Sequence, residues 1–166
     1  MTRIAALSDV HGNALALEAV LSDIDRARPD VVMVAGDLVL NGPDPAMVVD
    51  VLRRLADDGA LVIAGNTDIA VADSDYAAAF PWLQDGVPDA MIAAAEWAHD
   101  ALGPERVDWL RRLPAERRCR ADDDTLVLTC HAFGNHGFLL SPSLAAWLPL
   151  FVFIPTAYSL SGVFRS

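Results

Sequence analysis

At 166 residues the chain is long enough for one domain that buries about two-thirds of its unfolded surface, and at 54% hydrophobic residues it is globular rather than disordered. Its net charge of −11, from 23 acidic and 12 basic residues, argues against a broad electrostatic grip on nucleic acid and suits a protein that draws cations to carboxylates. Two cysteines, Cys119 and Cys130, allow at most one disulfide and lack zinc-ligand spacing, so core thiols in a reducing cytosol are expected.

The N-terminus carries no long apolar stretch with a cleavage site, and a cytoplasmic location is expected. Arg3–Ser8 is a short apolar run, a buried strand that stops at Asp9. Asn13 is a good N-cap for a helix in which Leu17, Val20, Leu21 and Ile24 share a face. Pro29 helps end it, and Val31–Ala35 is a second strand, stopping at Gly36-Asp37. Pro45 sits at a helix start, with Val48, Val49, Leu52 and Leu55 at amphipathic spacing. Gly59 closes that helix, and Ala60–Ala64 is a third strand, stopping at Gly65-Asn66. Three β-α units in series predict an α/β domain with a largely parallel sheet.

From Asp68 to Arg112 the pattern is helical, broken at Pro81, Pro88 and Gly103-Pro104. Ala94, Trp97 and Ala101, and later Val107, Leu110 and Leu113, give the expected inward face. Arg117–Arg120 and Thr125–Cys130 flank the acidic turn Asp122-Asp123-Asp124 as a β-hairpin, and the second strand stops at His131. From Gly137 to Phe164 no charged residue occurs, and Pro142, Pro149 and Pro155 interrupt the run.

Four predicted strands thus end in a potential metal ligand: Asp9 and His11, Asp37, Asn66, and His131. Singly, each has a dull explanation, such as a turn or a helix cap. Together they matter, because open α/β sheets bind ligands beyond the carboxyl ends of their strands. Four such ends in order, all bearing oxygen or imidazole donors, are poorly explained by chance.

Asp9-Val10-His11, Gly36-Asp37, Gly65-Asn66-Thr67-Asp68 and His131 resemble, in that order, the motifs of the calcineurin-like metallophosphoesterase superfamily. Gly36-Asp37-Leu38-Val39 with Gly42-Pro43-Asp44-Pro45, and Glu96-Trp97 through Leu113-Pro114, are similar to its small stand-alone bacterial and archaeal branch. The resemblance spans about residues 1–132. It implies a metallophosphoesterase-type β-sandwich flanked by helices, incomplete at the C-terminus, and two divalent metal ions. Asp9 and His11 would hold the first ion, Asp37 would bridge, and Asn66 and His131 would hold the second. Asp37, Asn66 and Asp68 are the implied catalytic residues, with Asp68 orienting a ligand or the loop. The activity implied is phosphodiester or phosphomonoester hydrolysis by hydroxide activated at the metal pair. The mixed donors suit Mn, Fe, Zn, Ni or Co. The partner is then a phosphoester small molecule.

Two departures qualify the resemblance. Thr67 stands where many relatives have His, and a threonine hydroxyl is no comparable proton donor, which leans toward phosphodiesters or good leaving groups. After His131 the family's G-H-x-H motif is missing, and His136, read as a loop residue, is the only later histidine. His99 is read as surface or packing. Residues 1–136 form the family-like domain, and 137–166 an atypical apolar tail. Three readings of that tail stand open: a foreign ending from a frameshift or truncation near 132–137, a membrane-associating segment, or a variant tail that packs as core or against another chain. The first is favoured, because charge disappears where the resemblance stops. Each leaves apolar surface or an open sheet edge, so a homo-oligomer is expected. The competing functional reading is a truncated or impaired relative that binds metal or a partner without efficient turnover. A dinucleotide-binding domain would need G-x-G-x-x-G after the first strand, and a haloacid-dehalogenase-type phosphatase would need Asp-x-Asp at Asp9; neither is present.

Overall fold

Ile4–Ser8 forms strand β1, buried along its whole length as a strand covered on both faces must be. The computed structural model describes residues 2–121, 126–131 and 151–153. After β1, the Asn13 side chain accepts a hydrogen bond from the Ala16 N–H and starts helix α1, Ala14–Ala27. The helix stops where Arg28 turns left-handed at φ 50°. Strand β2, Val31–Ala35, is followed by α2, Pro45–Asp57, capped by Asp44 and opened by Pro45. Strand β3, Leu61–Ile63, leads into α3, Asn66–Asp73, then the short α4, Tyr76–Ala79, and the long α5, Asp89–Arg111. Strands β4, Glu116–Arg120, and β5, Leu126–Cys130, form an antiparallel hairpin, and β6 is Phe151–Phe153.

The main sheet has the order β3-β2-β1-β6, parallel throughout. Alternate side chains of its strands serve two cores. Ala5, Leu7, Val34 and Val62 pack with Leu17 and Ile24 of α1 and Val48, Val49 and Leu52 of α2, and α3 and α5 extend this cluster. On the other face Ile4, Ala6 and Met33 meet Val127 of the hairpin, where the Thr129 hydroxyl also reaches Met33 Sδ at 2.7 Å. The result is a mixed α/β fold, a helix-flanked parallel sheet with a small second sheet on its far side, as the sequence led us to expect. Three residues of the segment after 137 join it as β6, beside β1.

One expectation needs correction. In the first half of α5 the buried face is Ala95, Ala98 and Leu102; in the second half Val107 and Leu110 are buried, as expected. Trp97 is half exposed, Ala101 is exposed, and Ala94 only borders the core. Gly103, at φ 69°, kinks the helix, so one apolar stripe does not run through both halves, and small alanines let α5 approach α3 closely. His99 accordingly packs: its ring Nδ1 lies 2.7 Å from the Val71 carbonyl of α3. The turn 122–124 and His136 lie outside the described residues. Cys119 and Cys130 are free thiols in register with Val127 and Glu116, not with each other, and burial pushes the Cys119 thiol up. Among the described residues no helix is long and apolar enough to cross a membrane.

Candidate metal centre

The parallel register aligns the ends of β1, β2 and β3, with Leu7 opposite Val34 and Ala35 opposite Ile63, so their following loops leave from one edge. Those loops are stitched together past the strands. Asp9 N–H donates to Gly36 O at 3.0 Å, His11 N–H to Asp37 O at 2.9 Å, and Gly12 N–H to Leu38 O at 2.8 Å. Gly36 and Gly65 meet backbone to backbone, since a Cβ on Gly36 would sit 2.5 Å from Gly65 N. The G-D and G-N dipeptides thus have a steric reason: only glycine lets the second and third loops touch.

Three of the acidic and imidazole residues are held in the left-handed region, at φ 58° for Asp9, 48° for His11 and 56° for Asp37. Non-glycine residues adopt it at a cost, and such outliers cluster at functional sites. The ligand atoms of these three side chains all lie within 4.8 Å of one another, a group able to hold a divalent metal ion. His11 Nε2 is 3.8 Å from Asp9 Oδ1 and 3.8 Å from Asp37 Oδ2. On the other side, His131 Nε2 is 3.3 Å from Asp37 Oδ1 and 3.1 Å from Asn66 Oδ1. The Asp37 carboxylate therefore faces a different imidazole with each oxygen.

The rings are aimed by backbone carbonyls. His11 Nδ1 lies 2.9 Å from Leu40 O, and His131 Nδ1 lies 2.6 Å from Ala35 O. A carbonyl only accepts, so each Nδ1 carries a proton, and Nε2 is the nitrogen that each ring turns to the site. The Asn66 amide is fixed the same way: Nδ2–H donates to Ala79 O at 3.0 Å, leaving Oδ1 toward His131. The Ser8 hydroxyl donates to Asp9 Oδ2. The Leu40, Ala35 and Ala79 carbonyls carry no side-chain signal, and sequence reasoning missed them.

Asn66, Thr67 and Asp68 form the first turn of α3 rather than a loop. Asp68 is buried and does not face the metal group directly. Its Oδ1 accepts from Leu38 N–H at 2.9 Å and its Oδ2 from Gly65 N–H at 2.8 Å, clasping the second loop to the third. The second bond is the acidic half of a capping box, and Gly65 has no side chain to return it. Burial, with the neighbouring Asp37 charge, raises the Asp68 carboxyl to about 7. Thr67 N–H donates to Asp37 Oδ1 at 3.1 Å, and its buried hydroxyl has no hydrogen-bond partner among the described residues.

A family model for calcineurin-like phosphoesterases matches residues 2–150. The chain belongs to that family. It is 31% identical over 127 residues to a symmetrical bis(5′-nucleosyl)-tetraphosphatase from Pectobacterium carotovorum subsp. carotovorum (strain PC1), covering 76% of this chain and 41% of that one. Among solved structures it is similar to a hypothetical protein from Pyrococcus horikoshii OT3, with TM-score 0.61 and 28% identity over 72% of this chain and 51% of that one. It is also similar to a metallophosphoesterase from Sphaerobacter thermophilus, with TM-score 0.54 and 34% identity over 72% and 44%. The chain thus spans about half, or less, of these relatives' length. For a calcineurin-like phosphoesterase the donors fit: carboxylate oxygens, an amide oxygen and the Nε2 atoms of two imidazoles make a mixed set suited to divalent transition metals.

Proposed function

We propose that this chain carries the metal-holding part of a phosphoesterase that hydrolyses phosphodiesters or phosphomonoesters. The observation that carries the proposal is the Asp37 carboxylate, with Oδ2 toward His11 and Oδ1 toward His131. Asp9 and His11 would hold one ion, Asn66 and His131 a second, and Asp37 both. Two divalent ions supply a water of lowered pKa and a positive field for the phosphoryl oxygens.

The chain's own residues do the positioning. The Leu40 and Ala35 carbonyls fix the imidazole tautomers, Ala79 fixes the Asn66 amide, and Asp68 keeps the Asp37 and Asn66 loops in register. Thr67 offers no proton of useful acidity, which favours leaving groups that depart as weak bases. Nucleoside polyphosphates have such leaving groups, and the name of the Pectobacterium relative supports that substrate class. A cytoplasmic site of action belongs to the same proposal, supported by the unpaired thiols of Cys119 and Cys130. Self-association also belongs to it and is read by sedimentation velocity at micromolar concentration.

The test is bound metal, measured by mass spectrometry, together with Mn²⁺-dependent hydrolysis of a chromogenic phosphodiester by the parent and by Asp37→Ala. Metal and rate both fall in the variant if the proposal holds; equal background rates in the two refute it. A second reading, a relative that holds metal without efficient turnover, is favoured by the site having only five donors among the described residues. Its signature is stoichiometric metal in the parent with a background rate.

A further inference from the structure

Away from the metal centre, α1 and α2 lie side by side on one face of the sheet and leave an open groove of about 820 Å³ between them. Leu15, Leu21, Met47 and Val51 make its apolar lining, and two of these stand well out of the protein, with Leu15 81% and Met47 49% exposed. An exposed leucine alone means little; an apolar strip running along two adjacent helices marks a contact surface. Leu15, Glu18, Leu21, Ser22 and Asp25 follow the spacing of one face of α1, so from Leu15 to Asp25 the groove runs ~15 Å, about three helical turns.

The edges decide what fits. Glu18 and Asp25 on α1 and Asp44 at the start of α2 border the groove, and among the described residues no arginine lines it. Among the described residues neither Glu18 nor Asp25 is in an ion pair, whereas the neighbouring Asp23 is held by Arg26. Phosphate-bearing surfaces, whether nucleic acid or an anionic membrane, would meet three carboxylates. A second copy of a chain of net charge −11 would bring more acid than base. What remains is a cationic apolar segment, and its natural form for a two-helix groove is an amphipathic helix.

We propose that the α1–α2 groove is a docking surface for an amphipathic helix of a protein partner, with leucine-type side chains on the Leu15–Met47 strip and Lys or Arg against Glu18 and Asp25. The occupant's far side is solvated, and its inner end abuts the loops that carry His11, since Asp44 N–H is bonded to Gly12 O at 3.0 Å. Docking depends on neither metal nor turnover.

The test uses the full chain and a fluorescein-labelled 18-residue helical peptide with a leucine stripe flanked by lysines, followed by fluorescence anisotropy at low and moderate salt. A second peptide carries glutamate in place of every lysine. The expected result is saturable binding of the lysine peptide alone, at least tenfold weaker to Leu15→Glu, and weakened by salt. Glu18→Lys with Asp25→Lys reverses the preference toward the glutamate peptide, and Asp37→Ala binds as the parent does. All three positions in the groove variants are on the helix surface, and circular dichroism checks that each variant folds. Unchanged binding in both groove variants, or equal binding of the two peptides, overturns the proposal. So does a parental dimer that Leu15→Glu converts to monomer, because the groove's occupant is then a second copy.

Discussion

Gly65→Ala tests the tight contact on which the metal centre rests. Gly65 has φ −100° and ψ 179°, extended backbone open to any residue, so alanine meets no conformational objection there. Its Cβ would instead press on the Asp37 backbone N and on Asp37 Oδ1, both far inside van der Waals contact, and would lie 3.0 Å from Gly36 C. Ordinary carbon contacts sit near 3.5–4.0 Å, so the Asp37 loop must retreat by on the order of 1 Å. Overpacking of that kind costs about 1–3 kcal/mol of stability. The same retreat pulls the Asp37 carboxylate away from both imidazoles, and displaced ligand support lowers metal affinity by about 10- to 100-fold. Denaturant unfolding reports the first effect and calorimetric titration with Mn²⁺ the second. Gly86→Ala is the control: Gly86 has φ 97° with nothing within 4 Å, so alanine there brings backbone strain and leaves the metal titration unchanged. A Gly65→Ala protein that binds Mn²⁺ with parental affinity would refute the reasoning.

Asp68→Ala leaves the buried Leu38 and Gly65 N–H groups without acceptors, at about 1–3 kcal/mol each, and Asp68→Asn, which keeps one carbonyl oxygen, should lose about half as much in urea unfolding. His131→Ala removes donors from one side of Asp37 only, so metal analysis should find the bound stoichiometry halved where Asp37→Ala loses nearly all; equal losses in both variants would contradict a divided site. Asp50 is paired through both oxygens with Arg106, tying α2 to α5, and those hydrogen bonds hold its carboxyl below the usual range. A depressed carboxyl stabilises the fold above its unfolded pKa, about 3.9, and the contribution disappears as pH falls through the lower folded value. Because both side chains are about a third exposed, Asp50→Asn should cost only about 0.2–1 kcal/mol at pH 7, and the gap from the parent should close in acid melts as pH falls through the depressed folded value. A gap that widens in acid would reverse the assignment.

Local chemistry made much of this legible in the chain itself. Apolar runs ending in Asp9, Gly36-Asp37 and Gly65-Asn66 announced three strands with these candidate donors at one edge, because a parallel sheet must send successive strand ends to the same side. Asn13 and Asp44 announced their helices, since a side-chain oxygen at a cap satisfies a specific backbone N–H. The face of the first half of α5 was misjudged, because helical period alone cannot tell which of two adjacent stripes meets a neighbour: Ala95 and Ala98 are buried and Trp97 is turned outward, while Val107 and Leu110 are buried as read.

The sequence by itself determined which residue types stand at the strand ends, and therefore the donor chemistry available to a metal. Tertiary structure alone decided how they meet. The two oxygens of Asp37 face different histidines only because the Gly36 and Gly65 backbones touch. Both imidazoles present Nε2 only because the Leu40 and Ala35 carbonyls take Nδ1–H. Asp68, expected to orient a ligand or the loop, does so by accepting from the Leu38 and Gly65 N–H groups of two different loops, partners that only the fold could name. Carbonyls and close approaches of this kind belong to the backbone, which every residue shares, so nothing in the order of side chains could mark them beforehand.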